Sequence, residues 1–457
     1  MINPIITQTI ETKFAEPTTH GLTMTETAKI IGENLSDELK AQMDMFAGLA
    51  PSNLNAPLPA ITDAPEGSFG ALVTAAAAKG SKFELDGINL ALRLLYGLAD
   101  RPSTHWALAA TEAIQRPHLE ANLVITGLLT RVAFFAPETN IPVYDLLAAA
   151  WEAGKVATPL HTIDWAPLWA KSLDDVRAEL KIAPLTTPDD AALTEAEDMV
   201  LADADWSEGL AEAIWAIIQD LESNVGNAGM ITMNVAALGG KYSDELMAST
   251  ARALRRFPGM SEAMEAGHPA DIKIDELTDY PVGTLGHSFY RLITDNNFSV
   301  EVLDYEGMGQ EEAGNVPEEV MFTSKRILQC HDLWHLTANY HVTPMHEVSI
   351  SGFQLGQFGQ NYSAAFLAVS QLIATFSMPL STTMLTDLTF EGWRHARQTP
   401  PLLGVNWHDH WGKSIDEVRA ALGVTPYKSA HDDDMMPNQV PVHHAKFDTF
   451  DQPIAAE

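Results

Sequence analysis

Apolar residues recur at helical spacing along much of the chain. Within 208–222 they fall at Leu210, Ile214, Ile217, Ile218 and Leu221, one face of a helix. The stretches 242–257, 317–336, 123–135 and the region around 367–376 follow the same period. Strand-like alternation is rare. The pattern predicts an all-α protein of two tandem helical domains. Residues 1–35 hold few large apolar side chains and no sustained period, so a tail is expected there. A second tail is expected at 427–457, which carries Asp432, Asp433 and Asp434 and then Pro437 and Pro441. Residues 183–205 are acidic and proline-bearing, without a long apolar face. They are expected to link a domain at 36–182 to one at 206–426.

The two domains share sequence. Residues 145–180 match 387–422 without a gap at an offset of 242, the step from Asp145 to Asp387. Trp151 pairs with Trp393, Pro159 with Pro401, Trp165 with Trp407 and Trp169 with Trp411. The shared pattern continues through Lys171-Ser172 and Lys413-Ser414 to Val176-Arg177-Ala178 and Val418-Arg419-Ala420. It reads as an aromatic anchor followed by a helix capped by serine, with acids in its first turn. Upstream, the run from Pro65 to Gly70 matches Pro281 to Gly286 at an offset of 216, so the first copy is shorter by 242 less 216, or 26 residues. An internal repeat of one fold is therefore expected.

The strongest chemistry lies inside that interval of the second copy, at Cys330-His331-Asp332-Leu333-Trp334-His335, followed by Glu347. Pro317-Glu318-Glu319 is a helix-start signal. On that helix Ile327, His331 and His335 form a line at i, i+4 and i+8. The helix is expected to end before Pro344 and a new one to begin near His346-Glu347. Two imidazoles on one face, closed by a carboxylate, can hold one divalent metal. Zn²⁺ fits this donor set with a position left open, and Fe(II) or Mn(II) fits the same logic. Asp332 is able to ligate or to orient an imidazole. The plainer alternative is two ordinary core or solvated histidines. Between Gly70 and Asp145 the first copy shows only the isolated His105 and His118, so it reads as the same fold without a metal site.

Other candidates are plainer. His408-Asp409-His410 reads as surface polar residues, and Cys330 as a small buried residue. Gly352, Gly356 and Gly359 suit close helix packing or a smooth wall for an apolar ligand.

Composition narrows the partners. The chain has 457 residues, with 27 basic against 61 acidic and a net charge of −34. Such an acidic chain is a poor nucleic-acid binder and is repelled by anionic membranes, so any membrane contact should be local and apolar. No apolar run is long enough to span a bilayer, and the N-terminus does not read as a secretory signal. One cysteine excludes an internal disulfide framework.

His331-Asp332-x-x-His335, eleven residues and then Glu347 resembles the signature of the coenzyme Q (ubiquinone) biosynthesis protein 4 family. Pro281 to Gly286, Asp295-Asn296-Asn297-Phe298 and Pro401-Leu402-Leu403 with Trp407 and Trp411 resemble its flanks. The resemblance runs from about Trp206 to Val424. It implies a helical protein that contacts the quinone-making membrane peripherally, with His331, Asp332, His335 and Glu347 as ligands of one metal, usually zinc. It implies a metal-dependent carbon–carbon lyase that decarboxylates a polyprenylated 4-hydroxybenzoate-type lipid, alone or with hydroxylation, beside other quinone-biosynthesis proteins. The alternative is a non-catalytic prenyl-lipid-binding scaffold for that complex. The expected location is cytoplasmic, at the inner face of the membrane. Three features depart from the pattern. His346 stands where a glycine commonly precedes the glutamate, the run Ala338-Asn339-Tyr340 replaces the usual glycine, and the domain follows a motif-less copy.

Overall fold

Several helices begin where the sequence supplies a capping oxygen. Ser68, Ser172, Asp189, Ser243, Thr284, Thr343 and Ser414 each accept an amide from the first turn of a helix. Ser414 and Glu417 complete a reciprocal capping box. The computed structural model describes residues 61–452 apart from 63, 80–87, 117–118, 186–188, 203–206, 221–223, 225–227, 301–302, 304–315, 378, 433–434 and 436–441. Among the described residues the protein is all α-helical, with only an isolated bridge between Thr284 and Ser414.

In chain order the helices are α1 (Phe69–Ala78), α2 (Ile88–Tyr96), α3 (Pro102–Gln115), α4 (Leu119–Phe134), α5 (Asn140–Val156), α6 (Leu173–Leu180), α7 (Asp190–Leu201), α8 (Leu210–Gln219), α9 (Ala228–Ala237), α10 (Asp244–Leu254), α11 (Met260–Ala266), α12 (Leu285–Asp295), α13 (Glu318–Ala338), α14 (Pro344–Phe358), α15 (Asn361–Ser377), α16 (Pro379–Gln398) and α17 (Ile415–Leu422). The helices predicted at 123–135, 208–222, 242–257, 317–336 and 367–376 all form, with ends shifted by a few residues.

The chain divides into two compact units. The first takes 1–131, 142–205 and 371–387; the second takes 132–141, 206–370 and 388–457. The division is therefore not the single cut expected at 183–205. Part of that expected linker is α7, which buries Leu193, Ala196 and Val200. Its Glu197 accepts from Arg101 Nε at 2.9 Å and from the Ser103 amide at 3.0 Å. Short apolar spacing on an acidic helix concealed it from the pattern. The expected tail at 1–35 lies outside the described residues. The expected tail at 427–457 is in part docked on the second unit. There the Val342 amide donates to Ala445 O at 2.9 Å, His444 meets Asp295 at 2.6 Å, and Phe450 is buried.

In the first unit, Phe69, Trp165 and Trp169 stack, with Phe69 and Trp169 ring centroids 5.5 Å apart. The amides of Phe69 and Gly70 donate to Lys171 O and Trp169 O at 2.8 and 2.9 Å. In the second unit the core gathers Phe289, Leu333, Trp334, Phe353 and Trp407. The amides of Leu285 and Gly286 donate to Lys413 O and Trp411 O at 2.8 and 3.0 Å.

Helices α14 and α16 touch backbone to backbone along 349–356 and 389–396. A Cβ on Gly352 would lie 2.4 Å from Thr389 O, and one on Gly392 only 1.9 Å from Ser349 O. A Cβ on Gly356 would meet Ala396 at 2.6 Å. Close helix packing therefore accounts for Gly352 and Gly356, and Gly359 is the left-handed cap of α14 at φ 63°. Gly392→Ala should lower unfolding stability by about 1–3 kcal/mol through this overpacking. Gly240→Ala, with open space around it, should stay within about 0.5 kcal/mol of wild type. Urea denaturation followed by circular dichroism measures both.

Candidate metal centre

The motif sits on the last two turns of α13, and Glu347 on the first turn of α14. The end of α13 is fully tied down. An α-helix leaves its last four carbonyls without intrahelical partners. Here His335 O accepts from the Tyr340 amide at 2.9 Å. Leu336 O and Thr337 O accept from the Arg419 guanidinium at 3.1 and 2.9 Å, and Ala338 O accepts from the Tyr427 amide at 2.8 Å. The chain then turns through Asn339, held in the left-handed region at φ 66°. Asparagine is the residue after glycine best suited to that conformation. Pro344 follows at the start of α14, and Thr343 caps it. Upstream, buried Arg326 anchors α13 by donating to Leu403 O at 2.8 Å and to Val405 O.

This turn brings His331, His335 and Glu347 together, with one ligand atom from each within 4.8 Å of the others. His331 Nε2 lies 3.6 Å from Glu347 Oε2, and His335 Nε2 lies 3.3 Å from Glu347 Oε1. The other nitrogen of each ring is committed elsewhere. His331 Nδ1 meets Asp332 Oδ1 at 3.2 Å, and His335 Nδ1 meets Tyr340 O at 2.6 Å. Both partners can accept, which suits rings that donate through Nδ1 and leaves each Nε2 as the ligating nitrogen on the Glu347 side. His335 is fully buried, yet its Nε2 has no hydrogen-bond partner. A buried imidazole nitrogen without a hydrogen-bond partner, beside a carboxylate and a second imidazole, suits a divalent cation.

The expected four-ligand set is therefore divided. Three residues converge, and Asp332 stands behind His331. Neighbours on a helix do not share a face, so Asp332 reaches the far nitrogen of the ring and not the side that meets Glu347. It occupies the orienting role that metal-bound histidines commonly require. Burial pushes the Glu347 carboxyl up, but His335 and His331 pull it further down, leaving it below the usual carboxylate range. Burial lowers His331, while Asp332 and Glu347 outweigh that and raise it.

The remaining candidates have structural roles. Cys330 is buried and accepts from Trp407 Nε1 at 3.2 Å. His408 meets Ala270 O at 3.3 Å, and His410 lies beside Lys413. His346 is buried, accepts the His341 amide on Nδ1 at 2.6 Å and packs against Tyr340 and Tyr427. Sequence reasoning missed Tyr340, whose carbonyl orients His335, and Arg419, although Val-Arg-Ala recurs in the repeat. A cavity of 530 Å³ lined by Asn339, His341, Arg419, Lys446, Phe447 and Phe450, among others, lies elsewhere in this unit. None of the three converging residues lines it.

The family model described as coenzyme Q (ubiquinone) biosynthesis protein Coq4 matches residues 268–428, which include the whole centre. The match covers about a third of the chain. Similar proteins include the mitochondrial ubiquinone biosynthesis protein COQ4 of Eremothecium gossypii, 26% identical over 38% of this chain and 49% of that protein. The same-named protein of Komagataella phaffii is 23% identical over 34% and 48%. The chain spans about half the length of these relatives. A crystal structure of a candidate ubiquinone biosynthesis protein from Nostoc punctiforme is 20% identical, covering 48% of this chain and 98% of that one, at a TM-score of 0.37.

Ligand and orienting roles in the matched segment separate by affinity. His335→Ala should abolish stoichiometric metal binding, whereas Asp332→Asn should weaken it about 10–100-fold. Chelator competition measures both, and equal loss in the two variants makes Asp332 a ligand after all.

Proposed function

We propose that this chain acts in ubiquinone biosynthesis as a metal-dependent lyase that removes the ring carboxylate of a polyprenylated 4-hydroxybenzoate-type lipid. The observation that carries the proposal is the convergence of two Nε2 atoms on Glu347, with each Nδ1 held from behind by an acceptor. The Coq4 match over the same residues supports the pathway.

His331, His335 and Glu347 would hold the metal, with Zn²⁺ first and Fe²⁺ or Mn²⁺ as alternatives for this donor set. The bound cation supplies Lewis acidity, stabilising negative charge on the aromatic head group. The protein supplies the orientation. Asp332 and Tyr340 O fix both rings. In the reaction the bond between ring carbon and carboxylate breaks and its electron pair stays on the ring. Carbon dioxide leaves, and a proton takes the vacated carbon. Replacement by hydroxyl instead requires dioxygen and a redox metal.

No helix among the described residues is long and apolar enough to cross a membrane. A polyprenylated substrate resides in a membrane, and on that ground we assign the chain a peripheral contact there, beside the other quinone-biosynthesis proteins.

Purified protein should carry about one metal per chain. His331→Ala should fail to restore quinone synthesis in a deletion strain, and a prenylated ring still bearing its carboxylate should accumulate. A metal-free wild type, or full restoration by His331→Ala, overturns the lyase. A general fall of all late intermediates, with His331→Ala as active as wild type, identifies a scaffold instead.

A further inference from the structure

The motif helix of the second unit has a counterpart in the first, and the hydrogen bonds that end the two helices fix their register. In the first unit, Arg93 O accepts from the Leu98 amide at 2.9 Å, as His335 O accepts from Tyr340. Leu94 O and Leu95 O accept from the Arg177 guanidinium at 3.1 and 2.8 Å, as Leu336 O and Thr337 O accept from Arg419. Tyr96 O accepts from the Leu185 amide at 3.0 Å, as Ala338 O accepts from Tyr427. Gly97 is left-handed at φ 69°, and Asn339 at φ 66°. Pro102 opens α3 and Pro344 opens α14. Further along, Gln115 Nε2 donates to Gly154 O and Ala157 O, while Gln357 Nε2 donates to Ala396 O and Thr399 O. Each pair differs by 242 residues, the offset of the tryptophan repeat.

The 26-residue difference therefore falls before α2 reaches Arg93, and the motif positions are present in both units. This revises the expectation that the first copy has nothing comparable. Along continuous helices the offset places Asn89 at His331, Leu90 at Asp332 and Arg93 at His335; Glu347 corresponds to His105. Of these four only His105 is of a residue type that the second unit's centre uses. Arg93 is buried, and its Nη1 lies 2.7 Å from Asp100 Oδ1, a close ion pair without hydrogen-bond alignment. Asp100 also acts electrostatically on His105. Asn89, one turn before Arg93, is buried with its side-chain oxygen unpartnered.

We propose that the first unit is a metal-free counterpart of the second, in which the Arg93–Asp100 ion pair stands where the second unit builds its metal centre. The proposal rests on the metal reading of His331, His335 and Glu347. A guanidinium stays protonated at any working pH, so the first unit carries a fixed cation that needs no loading and no chelator removes. The frame around the helix end is kept, and only the residues facing its centre differ.

The test transplants the ligands. In full-length protein carrying His331→Ala and His335→Ala, Co²⁺ titration should show no stoichiometric uptake. Adding Asn89→His and Arg93→His, with native His105 as third ligand, should create uptake of about one equivalent, read from the visible cobalt bands. A second variant adds Leu90→Asp and His105→Glu to complete the motif. Stoichiometric uptake by the parent background, or no uptake by either graft with its helical circular dichroism intact, overturns the proposal. Unfolding of both grafts also overturns it, because interchangeable frames are what it asserts. A wild type that takes up no metal defeats the lyase and leaves this result readable, since the grafts are titrated without the native ligands.

Discussion

The end of the motif helix is the constraint on which the candidate centre depends. Its four terminal carbonyls are buried and receive the amides of Tyr340 and Tyr427 and two bonds from Arg419. A buried carbonyl left without a partner costs about 1–3 kcal/mol, so these contacts fix where the helix stops. Stopping there places Tyr340 O beneath His335 Nδ1, which sets that ring's tautomer. It also leaves five residues, Asn339 to Thr343, to reverse the chain before Pro344. The carboxylate of Glu347 thereby returns to the two imidazoles. The candidate ligands are placed by a helix termination that other residues hold.

The glycine contacts between α14 and α16 serve the same geometry from the other side. Glu347 can meet His331 and His335 only if α14 keeps its place. The approach of Gly352 and Gly392 to facing carbonyls leaves α14 little room to slide or rotate against α16. The first turn of α14 also favours an anionic side chain, since helix N-termini carry partial positive charge. Packing and local electrostatics thus agree on where a carboxylate belongs.

Much of this was legible in the sequence because helical periodicity, capping residues and an i, i+4 histidine pair are local signals. The all-α class, the motif helix and its histidine pair follow from them. What was not legible depends on contacts distant in sequence. Asp332 and Glu347 are both carboxylates near the histidines, and only the turn of the helix shows that one faces their ligating nitrogens and the other backs His331. The acidic stretch around α7 gave no helical signal strong enough to outweigh its prolines and aspartates. The docking of His444 on Asp295 depends on a fold-level encounter that no local pattern encodes.

The location of the length difference between the repeats illustrates the same limit. Two anchors with different offsets bound the interval that changed but do not divide it, so the motif could be assigned to the extra residues or to the shared frame. Hydrogen bonds to the helix end decide this, because each names a carbonyl and a donor. Arg177 and Arg419 belong to the most visible part of the repeat, and each reaches back to a helix whose sequence has diverged. A frame held by main-chain carbonyls is indifferent to the side chains it presents. That indifference allows one unit to present two imidazoles and the other an arginine at the same turn, and it makes function the better explanation of the histidines.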